Sequence, residues 1–156
     1  MIRSKPWIVT APVILLLGWL SGWLSNSDYQ NYWFDTLYLP WFMPPGWAFG
    51  VAWTILYILM GISVGLVIAS DRLGKRPALV LFAIQLALNL AWSPVFFGAH
   101  QIRTALIVIF VLTGTLVLTI LLFWRVRRIA ALLLLPYLLW LLFATELNLT
   151  ILRLNL

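Results

Sequence analysis

The sequence predicts an all-α fold: an integral membrane bundle of five transmembrane helices, with a long, aromatic- and Pro-rich first loop acting as a lid. Three observations lead there. Hydrophobic residues make up 64% of the 156 and charged residues only 9%, too few charges for a soluble domain to cover its apolar surface. The apolar residues fall in runs of about 20, the length that crosses a ~30 Å hydrocarbon core as a helix. The basic residues fall between those runs, nearly all on one side if the helices alternate. Residues 1–156 read as a single domain.

The first run is Trp7–Leu24. A backbone in lipid must satisfy its own hydrogen bonds, which makes a helix the expected form; barrel strands would alternate every second residue and be half as long. Arg3 and Lys5 precede this run as in a signal peptide, but Trp19 and Trp23 crowd the place of a small-x-small cleavage site, so it reads as a retained helix. The link from Ser25 to Gly46 carries no Lys or Arg, two acids (Asp28, Asp35) and an aromatic–proline cluster running from Leu39-Pro40-Trp41 to Pro44-Pro45-Gly46-Trp47. Long loops in compact bundles are functional or disordered, and this one is too aromatic for a solvated tether. Its prolines fix its path, so it reads as a lid, with Trp33, Trp41, Pro44, Pro45 and Trp47 forming the lid and its edge. The alternative is a loop resting on lipid headgroups.

The second run, residues 47–69, ends at a Gly- and Pro-broken link, Ser70–Pro77. The third covers residues 78–97, the fourth, after a short link at about Gly98–Arg103, residues 104–123, and the fifth residues 129–149. Pro94 and Pro136 each remove a backbone hydrogen bond and are expected to bend their helices. No repeat of the kind seen in two-fold transporters is visible.

The net charge of +6 encodes orientation rather than nucleic-acid binding. Arg3, Lys5, Arg72, Lys75, Arg76, Arg125, Arg127 and Arg128 fall on one side, and only Arg103 and Arg153 on the other. That pattern puts the N-terminus in the cytoplasm and the C-terminus outside, in a cell membrane that is bacterial in the simplest reading. The absence of cysteine excludes disulfides, thiolate metal sites and thiol nucleophiles. No P-loop, catalytic carboxylate pair, Ser-His-Asp set or pair of haem axial ligands is apparent, and no metal or required cofactor is implied.

The ten tryptophans form two groups. Trp7, Trp19, Trp23, Trp33, Trp41, Trp47 and Trp124 lie at or between run ends, where indoles suit the membrane–water boundary. Trp53, Trp92 and Trp140 lie inside the runs. At 1.5 Å per residue, Trp53 is about 9 Å below the long-loop surface, Trp92 about 8 Å, Asn89 about 12 Å and Trp140 about 13 Å. Trp53 and Tyr57 share one helical face, Gln85, Asn89 and Trp92 a second, and Tyr137, Trp140, Ala144 and Asn148 a third. Polar groups in lipid need partners or a cavity. These residues describe either a pocket for a flat, largely apolar molecule or a satisfied packing core, and the residues alone leave both open. Small residues at spacing four recur, at Gly18/Gly22, Gly46/Gly50, Gly61/Gly65 and Ala83/Ala87/Ala91. The alanine row is a candidate homodimer seam, or packing within one bundle. Glu146, the one acid inside a run, is a functional candidate by position, or a group reaching water or pairing with Arg153.

In these motifs the chain resembles the TspO/MBR family, the tryptophan-rich sensory or translocator proteins related to the peripheral benzodiazepine receptor. The resemblance runs through Trp33…Leu37…Pro40-Trp41…Pro44-Pro45…Trp47 and Trp53-Thr54-Ile55-Leu56-Tyr57. It continues in Asn89-Leu90-Ala91-Trp92-Ser93-Pro94-Val95-Phe96-Phe97-Gly98 and ends in Pro136-Tyr137-Leu138-Leu139-Trp140…Ala144-Thr145…Leu147-Asn148. It implies a five-helix bundle, usually dimeric, that binds porphyrins and benzodiazepine- or isoquinoline-type molecules under the first loop. Trp53, Asn89, Trp92, Tyr137, Trp140 and Ala144 match the family's pocket, and Pro44, Pro45 and Trp47 its loop edge. Leu39-Pro40 stands where the family often has Lys-Pro, and Leu149 stands where the sterol motif of animal members needs Tyr.

The function so implied is a membrane receptor or carrier for tetrapyrroles, with a sensory or regulatory role in porphyrin handling or stress. An enzyme-like alternative makes Trp53 and Trp140 redox-active rings in light-dependent oxidation of bound porphyrin. A third reading is a small accessory membrane subunit. Relatives also occur in outer membranes, so the resemblance admits that location too.

Overall fold

The computed structural model describes residues 5–27 and 31–156; the expectations for Arg3 and Asp28 lie outside them. Among the described residues all regular structure is helical. The elements are α1 (Trp7–Leu24), the short α2 (Tyr32–Asp35), α3 (Gly46–Ile68), α4 (Lys75–Ser93) running into a π-turn at Pro94–Gly98, α5 (Ile102–Val126), α6 (Arg128–Leu133) and α7 (Leu135–Leu154). Counting α4 with its π-turn and α6 with α7, five helical spans are long and apolar enough to cross a membrane.

The first span has the expected limits, and the other four differ from them for local reasons. Pro45, extended at φ −64° and ψ 151°, starts α3 at Gly46, since its fixed φ and missing N–H suit a helix entrance. Gly74 takes φ +90° before α4, a left-handed turn that favours glycine. Lys75 then donates from Nζ to the Ser70 and Ile68 carbonyls at 2.8 and 3.2 Å, satisfying acceptors left free where α3 ends. Pro94 has no N–H to donate, so the hydrogen-bond register slips and Ala99 N–H reaches back to the Pro94 carbonyl at 2.8 Å. Pro136 likewise interrupts the last span, which breaks at Leu134 between α6 and α7. Both bends fall where the prolines place them.

The spans close into a ring in the order α1, α3, α6–α7, α5, α4. The α1–α3 seam is the tightest. A Cβ added at Gly61 would overlap the Ala11 backbone, and one at Gly65 the Trp7 backbone, while Thr10 Oγ1 donates to the Gly61 carbonyl at 2.6 Å. The glycine pair at 61 and 65 thus serves packing within the bundle. Opposite, α3 approaches α6, where buried Ala130 and Ala131 leave room and Ser63 Oγ donates to the Ala130 carbonyl at 2.7 Å. Toward the other end α3 and α7 are bridged by rings instead: Trp53 stands edge-on to Tyr137 and Trp140, and Phe49 edge-on to Trp140. The bundle is therefore closed at the α6 end and open beneath the first loop. Leucines, isoleucines and valines such as Leu16, Val51, Val80, Ile107, Leu118 and Leu139 are exposed around the outside, as a lipid-facing surface requires.

Gly61→Leu is expected to wedge α1 from α3 and lower stability by about 1–3 kcal/mol, seen as an earlier thermal transition in detergent. Gly114→Ala, at a helix position with nothing within 4 Å of the added Cβ, should leave the transition where it is or raise it slightly.

Candidate ligand-binding cavity

Beneath the first loop a cavity of about 630 Å³ lies between α1, α3, α4 and α7. Trp53, Trp92 and Trp140 line it from three different helices, together with Tyr57, Asn89, Ala144 and Asn148. Trp53 stacks on Tyr57, one turn below it, with ring centroids 5.4 Å apart. Trp92 stacks on Phe96 at 4.9 Å and donates from Nε1 to Asn148 Oδ1 at 3.1 Å. Asn148 Nδ2 in turn donates to the Ile102 carbonyl at 3.2 Å, tying α7 to the start of α5. Trp53 is thereby held within its own helix, and Trp92 by the turn that follows it and by α7.

From the cavity floor downward runs a directed chain of hydrogen bonds. The Tyr57 hydroxyl donates to Asn89 Oδ1 at 2.9 Å, Asn89 Nδ2 donates to the Tyr137 hydroxyl at 2.7 Å, and that hydroxyl donates to Gln85 Oε1 at 3.0 Å. Gln85 Nε2 faces the Met60 sulfur at 4.0 Å, a weak acceptor. The chain ties α3, α4 and α7 at one depth. Asn89 still has one N–H and one lone-pair site beyond those two bonds. Trp140 Nε1 is the one buried side-chain N or O atom among the described residues that lacks a partner.

The loop is anchored at several points. Asn31 accepts from Phe34 N–H at 3.0 Å, capping α2, and donates to the Asn26 carbonyl at 2.9 Å. Phe34 packs on Phe97, Phe42 on Phe143, and Trp33 stacks on His100 with centroids 4.4 Å apart and planes 8° from parallel. Asn155, past the end of α7, exchanges two hydrogen bonds of 2.9 Å with the Tyr38 backbone. Phe34, Asp35, Leu39, Met43 and Pro44 reach the cavity.

Placement departs from the sequence expectation at several residues. Gln85 and Tyr137 do not line the cavity; both are fully buried, because each is spent on the chain beneath its floor. Within the loop, Pro44 and Trp47 line the cavity while Trp33 and Pro45 do not. Trp41 is 95% exposed, since neighbouring Pro40 takes the buried position and the chain turns Trp41 outward. Ala83, Ala87 and Ala91 are all exposed along one side of α4. Glu146 is exposed and accepts from Thr150 at 3.2 Å; among the described residues it forms no ion pair with Arg153.

The α1 wall was missing from the sequence expectation. Gly18, Trp19, Ser21, Gly22 and Trp23 all line the cavity, so Trp19 and Trp23 are more than boundary rings. Trp19 Nε1 donates to Thr54 Oγ1 at 3.2 Å, Ser21 Oγ to the Leu90 carbonyl at 2.6 Å, and Ser25 pairs with Ser93 at 2.6 Å. The signal was there in Gly18, Ser21, Gly22 and Ser25, small or polar residues on one helical face. No group of three or more His, Cys, Asp or Glu side chains among the described residues could hold a metal.

A family model for the TspO/MBR family matches residues 9–154. The tryptophan-rich protein TspO of Chlorobaculum tepidum is 45% identical over 127 residues, covering 80% of each chain. The tryptophan-rich sensory protein of Cereibacter sphaeroides is 42% identical over 123 residues, 79% of this chain and 77% of that one. The translocator protein of Sus scrofa is 37% identical over 160 residues, 97% of this chain and 93% of that one.

Tyr137→Phe removes the middle hydroxyl of the chain and leaves Asn89 and Gln85 each short of a partner. The expected cost is about 1–2 kcal/mol, read as a lower midpoint in chemical unfolding. A midpoint equal to wild type would mean that the chain carries no structural weight.

Proposed function

From the premise that the chain belongs to the TspO/MBR family and is a multi-pass membrane protein, we propose that it is a receptor or carrier for porphyrins and related flat, hydrophobic molecules, with a sensory or regulatory role. The observation that carries this reading is the cavity: about 630 Å³ with Trp53, Trp92 and Trp140 on its walls, inside the size range of small-molecule sites. Indole faces suit a planar aromatic ligand. The free donor and acceptor of Asn89 suit a polar edge. Ala144 leaves room where any larger side chain would fill the space. Benzodiazepine- or isoquinoline-type molecules meet the same requirements.

Titration of the purified protein with protoporphyrin should quench tryptophan fluorescence saturably. Ala144→Phe should weaken binding about tenfold or more, a loss of about 1.4 kcal/mol, without moving the thermal transition. Quenching that never saturates would make the cavity a packing defect and the protein an accessory subunit. A second reading, photo-oxidation of the bound ring, rests on Trp53 and Trp140 standing 6.4 Å apart, edge to face, at the cavity wall. Illumination of the complex in air tests it: pigment loss that disappears in the Trp53→Phe, Trp140→Phe double variant supports this chemistry, and loss that persists removes it.

The same reading places the cavity mouth on the outer face. Lys5, Arg72, Lys75, Arg76, Arg125, Arg127 and Arg128 cluster at the opposite end, the cytoplasmic one by charge bias, in a bacterial cell membrane. The exposed row Ala83, Ala87 and Ala91 supplies a close-packing seam for a homodimer. Because the chain has no cysteine, single-cysteine variants report on both. Ala87→Cys should cross-link two copies, and Leu156→Cys should react with a membrane-impermeant thiol reagent added to intact cells. Failure of either removes the corresponding assignment.

A further inference from the structure

We infer that the cavity discriminates by charge, taking flat molecules that are neutral or carry a positive group and disfavouring carboxylates, with Asp35 as the specificity-determining residue. This rests on the cavity being a ligand site, as proposed above. Among the described residues that line it, Asp35 is the one bearing a formal charge, and no Lys, Arg or His is present. Nor does the loop segment from Ser25 to Gly46 carry a Lys or Arg. Arg103 and Arg153, the arginines at this end of the bundle, and His100 are exposed and outside the lining.

A carboxylate drawn into this space would lose its hydration shell, and no cation stands there to replace it. A carboxylate left at the opening, in water, would meet the exposed Asp35 side chain. Like charges repel over that range in low salt and are screened in high salt. An ammonium group would meet attraction from the same residue. The ordinary hydrogen-bond donors and acceptors of the lining, on Ser27, Asn89 and Asn148, favour neutral polar edges.

The test uses one macrocycle with three side-arm charges: protoporphyrin, its dimethyl ester, and its bis-amide ending in two primary amines. All three are titrated against the detergent-solubilised full chain by tryptophan quenching. In low salt the ester and the amine should bind about tenfold or more tighter than the free acid, and the gap between amine and acid should narrow in about 0.5 M salt. Asp35→Asn should shrink the gap, and Asp35→Lys should reverse the order of acid and amine. The Asp35 side chain is exposed on a four-residue helix, so an unchanged thermal transition is the expected control. Free acid binding as tightly as ester in the wild type, or an order insensitive to both Asp35 variants, overturns the inference and leaves the ligand site standing. Saturable binding by none of the three overturns the ligand site, and the inference with it.

Discussion

The hydroxyl of Tyr137 is the point on which the upper half of the bundle depends. It accepts from Asn89 and donates to Gln85, and it is wholly buried. In lipid no water stands ready to replace a lost partner, so the tyrosine, the two amides and Tyr57 fix one another's positions. The consequence is geometric. Helices α3, α4 and α7 are held at one depth by polar bonds as well as by the shared apolar core, and they need not close upon each other above that level.

What lies above is shaped by the contrast between the two ends. At the α6 end small residues do the work: Gly61 and Gly65 bring α1 against α3, and Ala130 and Ala131 bring α6 against it. Above the tyrosine, large rings take over as spacers between α3 and α7. Rings meeting edge to face pack favourably, yet they hold backbones farther apart than glycine does. The prolines assist. Pro136 breaks the fifth span at Leu134 and lets α7 take its own direction, while Pro94 turns α4 so that Phe96 and Phe97 meet Trp92 and Phe34. The cavity thus follows from a change of residue size along the bundle axis.

Much of this was legible in the sequence. Run length and hydrophobicity located all five spans, because lipid imposes one length and one backbone solution on every helix. Depth counting brought Trp53, Asn89, Trp92 and Trp140 to one level, because rise per residue is constant. Two things were not legible. Face periodicity cannot separate a residue that lines a space from one sealed beneath it, and so Gln85 and Tyr137 were grouped with the lining. Nor does it say what a face of small residues does: Gly18, Ser21 and Gly22 share one face of α1, but they carry little side chain, and their role depends on what stands opposite. For Gly18 that is the Tyr57 ring, which an added Cβ would strike. The inner surface of the loop was hidden for a further reason. With only the four residues of α2 in regular structure among its described residues, it has no repeat from which to tell inward Phe34 from outward Trp41.

Pocket and packed core are alternative readings of the same residues, and they make different demands on hydrogen-bonding groups. A core that exists only to hold helices together should spend every polar atom on a neighbour, since unspent ones are costly in lipid. Tyr137 comes nearest to that rule, its hydroxyl accepting one bond and donating another, and it sits outside the cavity lining. Among the residues that face the space, Asn89 and Asn148 each keep one N–H and one lone-pair site beyond two bonds, whereas the partnerless Trp140 N–H is itself buried. Gln85, beneath the floor, keeps the same reserve but has no space beside it. What sets Asn89 and Asn148 apart is the space beside them, about 630 Å³, the room that the proposed ligand would need.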